Sequence, residues 1–367
     1  MSSEVAVIGL FSGAGGLDVG AAWAGGDLRL SIDNDPIACE TMRRNRSHHP
    51  GQVLQADVAT LDGRSLRRLA GVGRADPCIV IGGPPCQPFS KAAYWTDPGD
   101  DSRYRRARAR GETAPKPSPI TDAKPDARRT LVQEFWRLVT EIKPNAFVFE
   151  NVPSITHPRN RKILDGLIGD AGDAGYGVRL LRVNAVEYGV PQCRHRVILL
   201  GLRGGDPEQA EPMHTNGTEP SLLLLPPLTA GQALRPLQDE RYFEPEEVLT
   251  GRWAQQLREI PPGWNYKYLT EWAGHPAPLF EAETRFWHFL LKLHPDRPSW
   301  TIPANPGPWV GPFHWDSRHL WTAELAALQS FPACCEFGGN RRERVRQIGN
   351  AAPPLMARRG TEQIVAA

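Results

Sequence analysis

The stretch Val5–Asp18, VAVIGLFSGAGGLD, decides the fold class of this 367-residue chain. An apolar run of strand length leads into a glycine-rich turn, and a helix-like segment, Val19–Trp23, follows. A strand, a glycine turn and a helix in this order are the nucleotide-binding opening of a doubly wound α/β domain. Taken alone, the pattern fits a dinucleotide site equally well.

Further apolar runs of strand length recur along the first 203 residues, with helical patterns between them. The acidic residues Asp33, Asp57 and Glu150 each follow one of these runs. Open α/β sheets bind ligands at the carboxyl ends of their strands, so we expect a site there. The predicted fold is α/β, a Rossmann-like doubly wound and mostly parallel sheet. The predicted strands are Val5–Leu10, Leu28–Ile32, a run that ends at Asp57, Ile79–Ile81, Ala146–Phe149, Val178–Val183 and Val197–Leu202; the predicted helices lie around Leu131–Val139 and Ile163–Ile168.

The composition changes after Gly204. Eight of the 11 tryptophans lie between Trp253 and Trp321, and helical periodicity is limited to Phe286–Leu293. We therefore predict a smaller domain over 204–343, inserted between 1–203 and 344–367, which together form the larger domain. Near the end of the chain, Arg346–Met356 is predicted to be a loop that enters a terminal helix.

Residues 91–130 interrupt the α/β pattern. They hold ten Lys and Arg against six Asp and Glu, and the segment Arg103–Arg110 is the densest basic patch of the chain. Few aliphatic residues are available to anchor this segment, so we predict a mobile basic loop. A solvated surface insertion without a function is the alternative for its middle part.

The overall composition sets further bounds. The net charge is only +2, and no apolar run approaches the roughly 18 residues of a membrane span. The six cysteines show no CxxC pairing and no metal-ligand spacing. The N-terminus lacks a basic region ahead of its apolar run, so we expect no signal peptide. These features favour a reduced, cytoplasmic setting without a metal site.

The segment Gly82–Ser90, GGPPCQPFS, directly follows a predicted strand. Its prolines fix the backbone and remove hydrogen-bond donors, so the segment continues neither as a helix nor as a strand. Its two glycines permit a tight turn and the close approach of another group. A cysteine held on such a loop is either an incidental small apolar residue or a reactive thiol. The complete string favours a reactive Cys86.

Six motifs in order resemble those of the DNA (cytosine-5)-methyltransferases of bacterial type. The resemblance covers nearly the whole chain, and six matches in the right order make chance a poor explanation. The motifs are Phe11–Gly16; Pro84-Pro85-Cys86-Gln87; Glu150-Asn151-Val152; Gln192-x-Arg194-x-Arg196; Arg318, Glu324 and Leu328-Gln329-x-Phe331-Pro332; and Gly349-Asn350-Ala351-Ala352-Pro353.

The resemblance implies a class I S-adenosylmethionine-dependent methyltransferase fold with a small target-recognition domain. It also implies methyl transfer from S-adenosyl-L-methionine to C5 of a flipped-out cytosine in a specific double-stranded DNA sequence, through a covalent bond from Cys86 to C6. The implied catalytic residues are Cys86, Glu150, Arg194 and Arg196. The implied cofactor-binding residues are Phe11, Gly13, Gly15, Gly16, Asp33, Asp57, Pro84, Leu131 and Asn350.

Three features depart from the family pattern. Asn34 stands where relatives usually offer an apolar or aromatic face to the adenine, and Ala352 replaces the usual valine. The segment 91–130 is longer than the loop that folds over the target base in relatives. Its flanks resemble that loop, whereas Arg103–Arg110 has no counterpart, and we expect it to contact phosphates.

The expected setting is the bacterial cytoplasm, with the protein associated with the nucleoid as a monomer and not with a membrane. It acts either beside a cognate restriction endonuclease or as a solitary methylase. Two alternatives stay open. One is a tRNA cytosine-5 methyltransferase of the same fold, although the Cys-Phe-Thr tripeptide of that branch is absent. The other is a non-catalytic DNA-binding homologue. The recognised DNA sequence cannot be read from the chain.

Overall fold

A computed structural model describes residues 5–89, 100–115, 126–217 and 221–366. Within these ranges, seven strands form one sheet in the order β3-β2-β1-β4-β5-β7-β6. The strands are β1 Ala6–Leu10, β2 Asp27–Asp33, β3 Gln52–Gln55, β4 Cys78–Gly82, β5 Ala146–Asn151, β6 Tyr176–Asn184 and β7 His195–Arg203.

Strands β1 to β5 run parallel to one another, and β7 is antiparallel to both of its neighbours, β5 and β6. The predicted α/β fold with a mostly parallel sheet is therefore confirmed. The strand order changes direction between β1 and β4, where the ends of the two strands are aligned, Leu10 with Gly82. This is the switch point at which open α/β sheets form a crevice.

Helices cover both faces of the sheet. Successive side chains of a strand point to opposite faces, so Val7 and Ile8 belong to different apolar clusters. The helices of the described residues are α1 Gly16–Trp23, α2 Pro36–Arg44, α3 Gly63–Leu69, α4 Asp100–Ala109, α5 Leu131–Ile142, α6 Pro158–Asp173, α7 Ala230–Leu234, α8 Ala254–Glu259, α9 Thr322–Leu328, α10 Arg341–Asn350 and α11 Pro354–Val365. One cluster includes residues of α3, α5 and α6, and the other includes residues of α1 and α11.

Three local predictions were wrong. The middle of 91–130 contains the helix α4 where a loop had been predicted, and Arg106 and Arg108 in its last turn complement the helix dipole. Residues 90–99 and 116–125 lie outside the described residues, and the mobility of the segment stays a prediction. Phe286–Leu293 is not helical. Leu290 has a φ of 53°, and the segment forms isolated β-bridges to Val310 and Phe313. The first residues of the predicted terminal loop belong to α10, which Asn340 and Glu343 begin with a capping box.

The part of the chain rich in tryptophan contains its own apolar cluster around the fully buried Tyr266 and Phe313. Another cluster joins α7 and α9 to α10, and it also includes Ala14 of the glycine turn. The division into domains at 203/204 and 343/344 stays a prediction. Among the described residues, none of the helices has the length and apolar character needed to span a membrane.

Candidate active site at the carboxyl ends of the strands

A cavity of about 250 Å³ lies at the switch point of the sheet, where β1, β2, β4 and β5 end. Residues that the sequence predicted to bind a cofactor and residues that it predicted to be catalytic both line this cavity. The residues expected to bind a cofactor that line it are Phe11, Gly13, Asp33, Asp57, Pro84, Leu131 and Asn350. Of the four expected catalytic residues, Cys86 and Glu150 line it.

The turn after β1 is fixed by Asp33 at the end of β2. The backbone N–H of Gly13 donates to Oδ2 of Asp33 at 2.7 Å, and the N–H of Asp35 donates to Oδ1 at 2.8 Å. Gly13 has a φ of 54°, which a side chain disfavours. Burial raises the pKa of Asp33 above its ordinary value, and the two backbone donors oppose this shift. Each oxygen keeps a lone pair with which it can accept a ligand hydroxyl.

A buried polar cluster supports this turn from below. The hydroxyls of Ser12 and Ser31 donate to Oδ1 of Asp18 at 2.8 and 2.6 Å, and Ser31 also lies 3.0 Å from Nε2 of His49. Asp18 is only 1% exposed, so its charge depends on these partners. The cluster connects the turn to β2 and holds its backbone in place.

Gly15 and Gly16 do not line the cavity, and their assignment as cofactor-binding residues stays a prediction. A Cβ on Gly15 would lie 2.9 Å from a ring carbon of His49, and one on Gly16 would lie 2.2 Å from the carbonyl oxygen of Ala352. The small size of Gly15 accommodates the ring of His49, and that of Gly16 lets the start of α1 pack closely against Ala352, before α11. They therefore shape the site through packing.

The loop after β4, Gly83–Phe89, carries Cys86 and is held by β5 and the residues that follow it. Nδ2 of Asn151 donates to the carbonyl oxygen of Pro84 at 3.1 Å, and Ser154 donates to that of Phe89. A Cβ on Gly83 would lie 3.1 Å from Oε2 of Glu150, so glycine lets this carboxylate approach the loop. These contacts place Cys86 and Glu150 on the same wall of the cavity.

Cys86 is partly buried, and its electrostatic surroundings are mixed. Burial raises the pKa of its thiol above the ordinary value of 9.0; Arg196 lowers it, Glu150 raises it, and Arg194 lowers it. The burial effect prevails, so the protein alone holds Cys86 mainly as a thiol at neutral pH. Additional positive charge beside the sulfur would favour the thiolate.

Glu150 and Arg196 form a nearly buried ion pair across adjacent strands. Nε of Arg196 lies 2.8 Å from Oε1 of Glu150, and the two side chains are 10% and 12% exposed. Glu150 is paired with Ile198 in the sheet, and Arg196 lies two residues earlier on the same face of β7. Arg196 itself does not line the cavity and reaches the site through this carboxylate.

Arg194 has a different environment from the one expected of a catalytic residue. It is 1% exposed, does not line the cavity, and its guanidinium donates to backbone carbonyls. Nη2 lies 2.8 Å from the oxygen of Gly349 and 3.0 Å from that of Ala351, and Nη1 lies 3.4 Å from that of Ile302. Burial and then the charge of Arg196 hold its pKa well below the usual range. Arg194 therefore positions the segment around Asn350.

Several wall residues were missed in the sequence. Ser12, Asp35, Arg346 and Gln347 all line the cavity. Arg346 and Gln347 precede Asn350 by four and three residues, so a helical reading of this segment would have placed all three on one face. The sequence analysis predicted a loop there, so the helical spacing of these three residues was not recognised.

A glycine turn, an acidic residue after β2 and a cavity at the switch point define an α/β protein with a site of the nucleotide-binding type. The thiol and the carboxylate in the same cavity add groups that can carry out covalent chemistry. No cluster of three or more potential metal ligands occurs among the residues described.

Comparison with known proteins identifies the family. The model for C-5 cytosine-specific DNA methylase matches residues 5–116 and 118–366. The type II methyltransferase M.SacI of Streptomyces achromogenes is 36% identical over 380 residues, which cover 96% of this chain and 90% of that protein. M.NgoFVII of Neisseria gonorrhoeae is 31% identical over 357 residues, which cover 96% and 84%.

Solved structures share the fold. A DNA modification methyltransferase encoded within an Escherichia coli prophage has a TM-score of 0.65 at 21% identity and covers 98% of each chain. The Entamoeba histolytica methyltransferase EhMeth has a TM-score of 0.56 at 14% identity, covering 99% of this chain and 98% of its own.

This chain belongs to the C-5 cytosine-specific DNA methylases. It is an enzyme, a DNA (cytosine-5-)-methyltransferase, as its motifs had indicated.

Proposed function

We propose that the enzyme transfers a methyl group from S-adenosyl-L-methionine to C5 of a flipped-out cytosine in a specific double-stranded DNA sequence, through an adduct of Cys86 at C6. One observation supports this most directly. Cys86 and Glu150 line the same cavity as the Phe11–Gly13 turn and Asp33. A nucleophile and a cofactor-binding turn are thus within one small volume, as methyl transfer between two bound molecules requires.

The polar groups of the cavity fit S-adenosylmethionine. Asp33 retains acceptor capacity for the ribose hydroxyls, and Asp57 uses one oxygen to accept from the N–H of Ala59, which leaves the other for the adenine amine. Phe11, Leu131 and Asn350 complete the wall. When bound, S-adenosylmethionine supplies an electrophilic methyl group on a positively charged sulfur.

Cys86 begins the reaction. Its thiolate forms a bond to C6 of the cytosine, and the electron pair of the C5–C6 double bond becomes available at C5. With S-adenosylmethionine bound, C5 would accept the methyl group, and the former bonding pair of that group would remain on the cofactor. A base removes the C5 proton, the double bond returns, and Cys86 leaves with the electron pair of its bond to C6.

Glu150 stabilises the charge that develops on the ring. Its carboxyl can donate a proton to the ring N3 and accept from the exocyclic amine. The Arg196 guanidinium, 2.8 Å away, fixes the orientation of Glu150. Arg196 is also the arginine that can donate to the base carbonyl if the ion pair rearranges.

Removal of the thiol tests this proposal. Cys86→Ser is expected to abolish methyl transfer to duplex DNA and to leave the unfolding midpoint unchanged. Duplex DNA that contains 5-fluorocytosine should form a covalent adduct with the wild type, since fluorine cannot leave as a proton. Cys335→Ser, which changes a partly buried cysteine elsewhere, should methylate normally. Near-normal turnover by Cys86→Ser would refute the covalent mechanism.

The relatives named type II methyltransferases suggest a restriction–modification setting, and we propose that this chain acts as a monomer in the bacterial cytoplasm, on nucleoid DNA, beside a cognate endonuclease. Bisulfite sequencing of DNA from an expressing host should reveal methylation at one short sequence. Methyl transfer to tRNA in place of duplex DNA would instead support the RNA-methylating alternative. Duplex DNA binding without any methyl transfer would support the non-catalytic one.

A further inference from the structure

An ion pair lies on the rim of the cavity and joins distant parts of the chain. Nη2 of Arg346, on α10, lies 2.6 Å from Oδ2 of Asp35, which follows β2. Both residues line the cavity, and their side chains are 44% and 22% exposed. Oδ1 of Asp35 also accepts from the N–H of Ile37 at 3.0 Å and caps α2. The carboxylate of Asp35 is thus fixed by the start of α2, and this carboxylate in turn fixes the guanidinium of Arg346.

The wall beside this ion pair includes an exposed polar residue and a single aromatic ring. Asn34 is exposed, lines the cavity, and its side chain makes no hydrogen bond within the described part of the chain. Phe11 is the only aromatic residue among the described residues that line the cavity. A purine has two faces, and one phenylalanine can cover at most one of them. The guanidinium of Arg346 is a planar cationic group on the same rim.

We propose that Arg346 is a cofactor-binding residue whose guanidinium plane covers the second face of the adenine. The inference rests on the proposed use of S-adenosylmethionine, with its adenine near Asp57. Guanidinium groups stack on aromatic faces and are weakly hydrated, so covering a purine costs them little solvation. Asp35 neutralises the charge of Arg346, and this matters because the cofactor itself carries a positive sulfur.

Binding measurements on two substitutions test the role of the plane. Arg346→Ala removes the guanidinium, and Arg346→Lys keeps a cation for Asp35 but removes the planar group. Both should weaken S-adenosylmethionine and S-adenosylhomocysteine binding by about tenfold in calorimetry, within the range of cation–π contacts. Adenosine, which shares only the nucleoside, should show the same relative loss.

Arg44→Ala is the matched control. Arg44 is on α2, is 47% exposed and pairs with Glu40, but it does not line the cavity. Its removal should leave the affinity unchanged. A rescue gives a further criterion: Asn34→Phe in the Arg346→Ala background should restore binding to within about threefold of wild type, because a ring at position 34 supplies a flat face on the same rim.

Two results would overturn the proposal. Unchanged affinity in Arg346→Ala would remove Arg346 from the adenine contact, and wild-type affinity in Arg346→Lys would show that charge alone suffices. Failure of the wild type to bind S-adenosylmethionine, S-adenosylhomocysteine and adenosine would instead refute the proposed cofactor, and this inference with it. Should Arg346→Ala be unstable, the lysine variant carries the same test.

Discussion

The two arginines of the Gln192-x-Arg194-x-Arg196 motif should have separable effects, and matched substitutions to methionine test this. Arg194 donates to backbone carbonyls near Asn350, whereas Arg196 pairs with Glu150 on the cavity wall. Arg194→Met is therefore expected to reduce stability and cofactor affinity. Arg196→Met is expected to reduce the rate of the chemical step.

The expected loss of stability in Arg194→Met follows from the hydrogen bonds that the guanidinium of Arg194 makes. Two of them, to Gly349 at 2.8 Å and to Ala351 at 3.0 Å, have good length, and the third, at 3.4 Å to Ile302, is weak. A hydrogen bond from a charged group contributes about 1.5–3 kcal/mol, so two give about 3–6 kcal/mol. Methionine avoids burying a charge, which offsets part of this loss. We expect the free energy of unfolding to fall by about 3–5 kcal/mol.

The expected loss of kcat in Arg196→Met follows from weaker stabilisation of the transition state. Without the guanidinium, the buried carboxylate of Glu150 loses its partner and the developing charge on the base loses a nearby cation. Removal of one such stabilising group typically lowers kcat by about 10²–10³-fold. Because Asn350 lines the cofactor cavity, Arg194→Met should mainly raise KM for S-adenosylmethionine, with a smaller effect on kcat.

Urea unfolding followed by tryptophan fluorescence measures the first effect, and methylation rates at varied S-adenosylmethionine concentration separate kcat from KM. Wild type and both variants are compared at one DNA concentration. The division of roles is refuted if Arg194→Met stays within about 1 kcal/mol of wild-type stability. It is refuted equally if the two variants lose kcat to the same extent.

Three further predictions concern single groups. Asp33→Ala should weaken S-adenosylmethionine binding by roughly 1.5–3 kcal/mol, and unchanged affinity in calorimetry would remove Asp33 from the site. Alkylation of Cys86 by iodoacetamide in the free enzyme, followed by mass spectrometry, should rise with pH to a midpoint above 9.0, and Glu150→Gln should lower that midpoint because it removes a negative charge; a wild-type midpoint below 9.0 would contradict the burial argument. Replacement of the five arginines of Arg103–Arg110 by alanine should weaken binding to every duplex alike and flatten the salt dependence by up to about 0.9 in slope per lost phosphate contact, whereas a change in the preferred sequence would show that this segment reads bases.

The sheet could be predicted because its residues obey local rules. Buried parallel strands are short apolar runs, and the polar residues that follow them necessarily meet at one edge of the sheet. The sequence alone therefore placed Asp33 and Glu150 at the edge of the sheet where the cavity lies. Their positions at the ends of predicted strands were sufficient for this prediction.

The sequence was least informative where tertiary contacts decide the environment of a residue. Gly15 and Gly16 look like ligand-binding glycines in the sequence, yet each accommodates a neighbouring residue, His49 or Ala352. Arg194 and Arg196 share one motif, but Arg194 lies just before β7 and donates to carbonyls from distant parts of the chain, whereas Arg196 lies within β7 and pairs with Glu150. Leu290 ended an apparently helical pattern by adopting a positive φ, which periodicity alone cannot reveal.

The surroundings of Cys86 suggest why its reactivity is restrained in the free protein. Burial and Glu150 favour the thiol, while the two arginines favour the thiolate, and the balance lies with the thiol. Arg196, which lowers the pKa of the thiol more than Arg194 does, is paired with Glu150, which raises that pKa, so the two effects oppose each other. Any event that turns Glu150 towards a base, or brings a cation into the cavity, shifts the balance towards the thiolate. In the proposed mechanism, the carboxylate that assists the reaction also favours the thiol form of Cys86 in the free protein, so Glu150→Gln should make Cys86 easier to alkylate and should slow methyl transfer.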